Sequence, residues 1–259
     1  VKGPSLHMGK LPVPKFHGFD TVKEGRVPPL CIEVYGEDGV GKSHFAIALK
    51  ESMAMCDTEG KCEHIMAKLG RTKYFKPKDW GDVAAFWNYV VQNEPSVELI
   101  VFDNSRDLRD WAELWTLSET GKKSLYSQQA GSVQYSLVYQ KLDWLVVKSK
   151  EAGKHTVFTS RMKDEYVNNT ATGRRVRDGY TKLLFLADIR LKLQQGVVHP
   201  KRGLIKKDRI FCRVEKNAFQ KKTEKRPYLL DQSWDGILHE LVFGEPWLGT
   251  EEEFIDEYL

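Results

Sequence analysis

The sequence is poor in cysteine and has no long hydrophobic run. Its four cysteines, Cys31, Cys56, Cys62 and Cys212, contain no C-x-x-C pair, and none of the seven histidines stands at metal spacing from one. That excludes a zinc-ribbon or finger reading and a disulfide framework. Cys31 and Cys56 fall in expected core strands, which fits buried, reduced thiols. No apolar stretch approaches membrane-spanning length, and the first residues lack a signal-peptide pattern. The expectation is a protein of the cytoplasm or nucleoid with no membrane partner. No internal repeat, low-complexity tract or nucleophile triad stands out. At 259 residues, 41% of them hydrophobic, the chain can build one large α/β domain.

What is present is a complete phosphate loop. Residues 36–43 read Gly36-Glu37-Asp38-Gly39-Val40-Gly41-Lys42-Ser43, the G-x-x-x-x-G-K-[ST] pattern. The run Cys31-Ile32-Glu33-Val34-Tyr35 leads in like a buried strand, and Ser43-His44-Phe45-Ala46-Ile47-Ala48-Leu49 leads out with helical composition. Glycines let backbone N–H groups curl around phosphates, and the next helix turns its positive end toward them. The motif with His44 therefore marks a nucleoside-triphosphate site. Lys42 is expected on the β- and γ-phosphates and the Ser43 hydroxyl on Mg²⁺.

Further along, strands are expected near 30–35, 53–56, 99–102, 155–160, 182–195, 209–216 and 228–231. Helices are expected after the loop to residue 51 and over 62–69, 80–93, 105–117 and 132–151. In 80–93 the residues Val83, Phe86, Trp87, Val90 and Val91 recur at helical spacing. The alternation predicts a mostly parallel central sheet flanked by helices, with a C-terminal antiparallel extension. Residues 1–28, with Pro4, Pro12, Pro14 and Pro28, read as an extended arm: a docking element or a mere leader. Residues 29–232 are expected to form the ATPase core, and 233–259 a helical, acidic tail.

Ligands of such sheets bind beyond the strands' carboxyl ends. Asp103 follows four apolar residues there and is expected to help Ser43 hold Mg²⁺. The alternative is an Asp capping the next helix, a role Ser105 fills equally well. Glu59 ends the second strand, either as the carboxylate that orients the attacking water or as a simple turn residue.

Asp57-Thr58-Glu59-Gly60, with Glu63-His64-Ile65 and Ala67-Lys68-Leu69-Gly70 after it, resembles the segment that carries the catalytic glutamate in RecA and RadA proteins. Leu99-Ile100-Val101-Phe102-Asp103-Asn104-Ser105 resembles their second nucleotide motif, with Asn104 inserted. Thr159-Ser160 stands where those proteins often carry an Asn-Gln sensor. Ala187-Asp188-Ile189-Arg190-Leu191 resembles the strand after their second DNA loop. The order holds from about 30 to 232. The run Arg161–Val167, with Thr172-Gly173 and Arg177-Asp178-Gly179, is most similar to phage-encoded RecA-like single-strand annealing ATPases.

The resemblance implies a RecA-like core with Lys42, Glu59 and Asp103 as catalytic residues. It implies ATP and Mg²⁺ as cofactors, hydrolysis at subunit interfaces, and a ring or filament. The setting would be cytoplasmic, extending to a phage-infected host cell, with a single-strand binding protein as a further partner. Two polar segments then correspond to single-stranded DNA loops: 118–131, with Lys122, Lys123 and Tyr126, and 163–180, with Tyr166, Arg174, Arg175 and Arg177. Cations meet phosphates and aromatic faces stack on bases. Ser160 is a sensor candidate. Arg161, Lys163, Lys182 and Arg190 are candidates for a basic residue reaching into a neighbour's site.

Residues 201–226 carry eleven Lys or Arg against three acids, a net of +8 where the whole chain has +4. This is a polyanion-attracting stripe or an edge hairpin guarded by lysines. The acidic end at 251–257 could compete with DNA for it. Rival functions are a hexameric helicase or DNA-packaging motor, and an ATP-gated binding module with little turnover.

Overall fold

The structure is a computed structural model that describes residues 27–121, 131–199, 201–220, 227–244 and 250–259. Its centre is a sheet in the order β3-β2-β4-β5-β1-β7-β8-β9. The strands are β1 (Cys31–Gly36), β2 (Met53–Asp57), β3 (Tyr74–Phe75), β4 (Leu99–Asp103), β5 (His155–Val167), β6 (Thr170–Asp178), β7 (Ile189–His199), β8 (Gly203–Asn217) and β9 (Tyr228–Leu229). All pairings from β3 across to β7 are parallel; β7–β8 and β8–β9 are antiparallel. The expected fold class is the observed one.

The inner strands are apolar throughout because both sheet faces are covered. Side chains alternate between the faces. Ile32, Val34, Met53, Met55, Leu99, Val101 and Val157 face one layer, which holds helices α1 (Lys42–Ala48), α2 (Glu63–Lys68) and α7 (Trp234–Ile237). Cys31, Ala54, Cys56, Ile100, Phe102 and Phe158 face the other, with α3 (Trp80–Asn93), α4 (Ser105–Thr120) and α5 (Gly131–Glu151). The expected helix over 80–93 is α3. Its N-cap Asp79 accepts from the Asp82 backbone N–H, and Trp80, Val83, Phe86, Trp87 and Val90 form its buried stripe. All four cysteines are buried free thiols. No helix among the described residues is long and apolar enough to cross a membrane.

Three expectations shift. Residues 163–180 form no loop: β5 runs on to Val167, turns at Asn168-Asn169 and returns antiparallel as β6. Residues 182–187 break into a short helix, α6 (Leu183–Leu186), before β7 begins. The segment from 233 packs into the molecule. Trp234, Ile237 and Leu241 belong to the core beneath α1, and α8 (Glu251–Tyr258) buries Phe254 and Ile255 against Val197, Phe211 and Tyr228. Of the expected N-terminal arm, residues 1–26 lie outside the described residues.

At the amino end of β5, His155 accepts the Leu30 backbone N–H through Nδ1 at 3.0 Å and packs edge-on to Trp234. Burial, and then the Lys50 ammonium, lower its pKa from 6.5 to about 4. The folded state thus favours the neutral ring. Its stabilisation is complete above pH 6.5 and is lost as pH falls through about 4. Chemical denaturation at pH 7 and at pH 4 should show a loss of about 3 kcal/mol from this group. A His155→Gln variant should show a correspondingly smaller pH dependence, and an unchanged one would remove His155 as the cause.

Candidate active site

The strand order brings the site together. β5 lies between the phosphate-loop strand β1 and the Asp103 strand β4, and Tyr35 pairs in register with Ser160. Asp57 and Asp103 are neighbours in register at the ends of β2 and β4. Four carboxyl ends therefore border one cleft of about 370 Å³. Asp38, Gly39, Lys42, Ser43, Glu59, Asp103 and Arg161 all reach it.

The loop has the backbone that a phosphate cradle needs. Gly39 and Gly41 have φ of 77° and 91°, the left-handed region open to glycine. Gly41 is the N-cap of α1, and no side chain makes a capping hydrogen bond to the helix end. Gly36, Glu37, Asp38 and Val40 complete the turn, and His44 lies exposed on the first turn of α1. Lys42 Nζ donates to the carbonyls of Gly36 at 3.0 Å and Glu37 at 2.8 Å. Burial lowers its pKa, against the pull of Asp38 and Asp103.

Asp103 is the polar hub. Its Oδ2 accepts from Ser43 Oγ and, at 3.2 Å, from the Cys62 thiol; its Oδ1 accepts from Thr159 Oγ1. Two hard oxygen donors in contact, Ser43 Oγ and Asp103 Oδ2, beside an open helix N-terminus are the donor set Mg²⁺ takes when it also binds phosphates and water. The residues fit that ion. Asp103 does not cap α4. Asn104 does, accepting the backbone N–H groups of Arg106 and Asp107, while Ser105 is the first helical residue.

Glu59 sits opposite. Its Oε1 accepts from Asn104 Nδ2 and from Arg161, and its Oε2 lies 2.8 Å from Lys61 Nζ. Burial works against its ionisation, but the hydrogen bonds from Lys61 and Arg161 prevail and hold the carboxyl below its ordinary value. The turn is fixed by Asp57, which accepts the backbone N–H groups of Glu59, Gly60 and Cys62 and the Tyr74 hydroxyl. Burial and the two aspartates raise the Cys62 pKa, so it stays a neutral thiol. The arrangement can hold a phosphate chain and a hard cation, and can set a carboxylate against a terminal phosphate.

A family model described as an AAA domain matches residues 29–196. The chain belongs to this family. No curated protein matches it. An AAA domain is a P-loop ATPase-type domain, and the matched residues span every group of the cleft named above.

Sequence reasoning about this AAA domain passed over Asn104, Asp57, Lys61 and Cys62. Asn104 had a signal: an Asn directly before a helical segment is a preferred N-cap. Of the sensor and trans-acting candidates, Ser160 Oγ lies 2.7 Å from Ser105 Oγ and donates to Glu33 at 2.6 Å. Gly179 leaves them room, since a Cβ there would come within 2.3 Å of Ser105 Oγ. Arg161 is in the chain's own cleft, on Glu59. Lys163 pairs with Asp178 at 3.0 Å and Lys182 with Asp143 at 2.9 Å; both remain partly exposed. Arg190 is turned inward, onto Glu33.

Of the DNA candidates, Lys122, Lys123 and Tyr126 lie outside the described residues. Tyr166 is 64% exposed near the hairpin tip, paired in register with Ala171, and Arg174 is exposed on the return strand. Arg175 bridges Glu37 of the phosphate loop, at 3.1 Å, and Asp164. Arg177 differs from expectation. Its guanidinium binds the buried Glu33 and the Tyr180 carbonyl and is only 9% exposed, so it is a buried ion-pair partner and not a DNA contact. Of the basic stripe, residues 221–226 lie outside the described residues; the rest is part β8 strand and part capping device. Lys216 binds the carbonyls of Leu184, Phe185 and Ala187, and helix α8 answers Lys201, Arg202 and Arg213 with Glu252, Asp256 and Glu251.

Proposed function

We propose that this AAA domain is an ATP-dependent single-stranded DNA-binding protein of RecA type, acting in strand annealing or exchange as a homo-oligomer. One observation carries the reading. The strand that touches Asp103 through Thr159 and Glu59 through Arg161 continues, within five residues of Arg161, to the exposed Tyr166 of a projecting hairpin. A change at the terminal phosphate therefore has a short, stiff route to a surface suited to stacking bases.

In the mechanism, the loop N–H groups and Lys42 hold the phosphates, Lys42 exchanging its two carbonyl partners for phosphate oxygens. Mg²⁺, held by Ser43 and Asp103, would neutralise developing charge. Glu59 takes the proton of the attacking water after yielding one of its cationic partners. Arg161, leaving Glu59, carries the change along β5. Lys163 and Lys182, partly exposed, remain the groups able to reach a neighbouring subunit; ring or filament assembly, and a single-strand binding protein as helper, follow from the same reading.

The clamp of Arg161 and Lys61 on Glu59 favours a second reading, an ATP-gated binder with slow turnover. Steady-state ATP hydrolysis with and without single-stranded DNA separates the two. On the primary reading DNA raises the rate, and Tyr166→Ala weakens DNA binding by about 1–3 kcal/mol. Bound ATP with no stimulation selects the gated binder. Directional unwinding in place of annealing would overturn both in favour of a motor.

A further inference from the structure

The ribbon of β7 and β8 has two unlike faces. One is covered by α8. There Phe254 and Ile255 seat on Val197, Phe211 and Tyr228, while Glu252, Asp256 and Glu251 pair with Lys201, Arg202 and Arg213. The opposite face is open. Val198 and Leu204, directly paired across the two strands, are 59% and 48% exposed, and Ile210 is 41% exposed. We propose that this open face binds an acidic amphipathic helix of a partner protein. The inference does not depend on what the cleft of Glu59 and Asp103 does.

Alternation along the strands fixes which residues share the open face. Val197, Ile205 and Phe211 pack toward α8, so their neighbours Val198, Leu204 and Ile210 point the other way. Leu204 lies across Gly196, where an added Cβ would come within 2.8 Å of it. Toward the middle of the sheet the stripe runs into a cleft of about 340 Å³ between the ribbon and α1, lined by Leu193, Ile210, Val40 and Phe45. That cleft shares no residue with the one of Glu59 and Asp103. From Leu193 to Val198 the strand covers about 17 Å, the length of about three helical turns.

Charge selects the occupant. Between Ile205 and Ile210, β8 bulges opposite Gly196, and the bulge carries Lys206, Lys207 and Arg209 against one acid, Asp208. All four are exposed, and among the described residues none of the three cations forms an ion pair. The covered face shows what satisfies a surface of this kind: α8 brings two adjacent apolar anchors flanked by carboxylates. A partner helix with apolar anchors at i, i+3 and i+4 and acids beside them meets the open face in the same way. Nucleic acid fits less well. The ribbon's open face offers aliphatic side chains and no aromatic ring on which a base could stack.

The test is fluorescence anisotropy with the full chain and, as the acidic helix, a labelled peptide of residues 250–259, Thr-Glu-Glu-Glu-Phe-Ile-Asp-Glu-Tyr-Leu. The native chain should bind it about tenfold tighter than a scrambled peptide of the same composition, and less tightly as salt rises. Val198→Asp with Leu204→Asp should lower the affinity by about tenfold or more. Its melting point should stay within a few degrees of native, since both side chains lie on the surface. Lys206→Glu with Lys207→Glu should weaken binding as well and flatten its salt dependence. Equal binding of the scrambled peptide would overturn the inference. So would full affinity in Val198→Asp with Leu204→Asp, which would mean that the peptide exchanges with the chain's own α8. Displacement of the peptide by a single-stranded oligonucleotide would overturn it in favour of a polyanion surface. Self-association of the native chain by light scattering, abolished by the same double variant and with no peptide bound, would overturn it in favour of a contact between copies.

Discussion

Glu59→Gln should lower ATP turnover by about 10²- to 10⁴-fold, the range of a lost general base, without lowering nucleotide affinity. The amide keeps the shape of the carboxylate. Asn104 can still donate to its oxygen, and Asp57 still holds the turn through three backbone N–H groups. What disappears is the proton acceptor, together with the charge that attracts Arg161 and Lys61. Single-turnover hydrolysis beside a binding titration reads the two effects separately. Turnover close to the native rate would return Glu59 to the role of a turn residue. Loss of binding together with turnover would make it a scaffold for the loop. The pH profile adds a check. Lys61 and Arg161 hold this carboxyl below its ordinary value, so acidification should cost activity through Glu59 only below the usual carboxylate range.

The parts of this site that were legible in the sequence depend on residue type at short spacing. A phosphate loop requires glycines at fixed offsets and a lysine at the helix start, and an aspartate after four apolar residues marks the end of a buried strand. Gly36–Ser43 and Asp103 could be placed for that reason. Glu59 was singled out only through the resemblance to RecA and RadA proteins, because a carboxylate after Asp-Thr is equally good turn chemistry. The hairpin escaped because β6, Thr-Ala-Thr-Gly-Arg-Arg-Val-Arg-Asp, is exposed over most of its length and so has no apolar alternation to read. A local signal did exist. Asn168 and Asn169 adopt φ of 49° and 62°, as a two-residue hairpin turn between Val167 and Thr170 requires. The inward turn of Arg177 and Arg190 had no local signal. Both depend on Glu33, which is more than 140 positions away along the chain.

Glu33→Ala should therefore have the largest effect on stability, about 3–5 kcal/mol, the range for breaking one side of a buried ion pair. Glu33 is fully buried in β1, and its carboxylate is shared by Ser160, Arg177 from the hairpin return and Arg190 from β7. Three strands and the base of the hairpin thus close on one negative charge directly behind the phosphate loop. Alanine would leave two guanidiniums largely buried with no counter-charge and Ser160 with one acceptor fewer. For a chain of this size the melting point should fall on the order of 10 °C. The cause can be separated from simple loss of volume. Removing the cations as well, in Glu33→Leu with Arg177→Met and Arg190→Met, should recover most of the lost stability, since a packed apolar substitute for a buried ion cluster is often neutral. If the triple variant is no more stable than Glu33→Ala, the deficit lies in packing and the charge cluster is not what holds the hairpin base to the loop strand. If it recovers stability but loses stimulation of hydrolysis by DNA, the cluster serves to transmit the nucleotide state to the hairpin, a task for which apolar packing is no substitute.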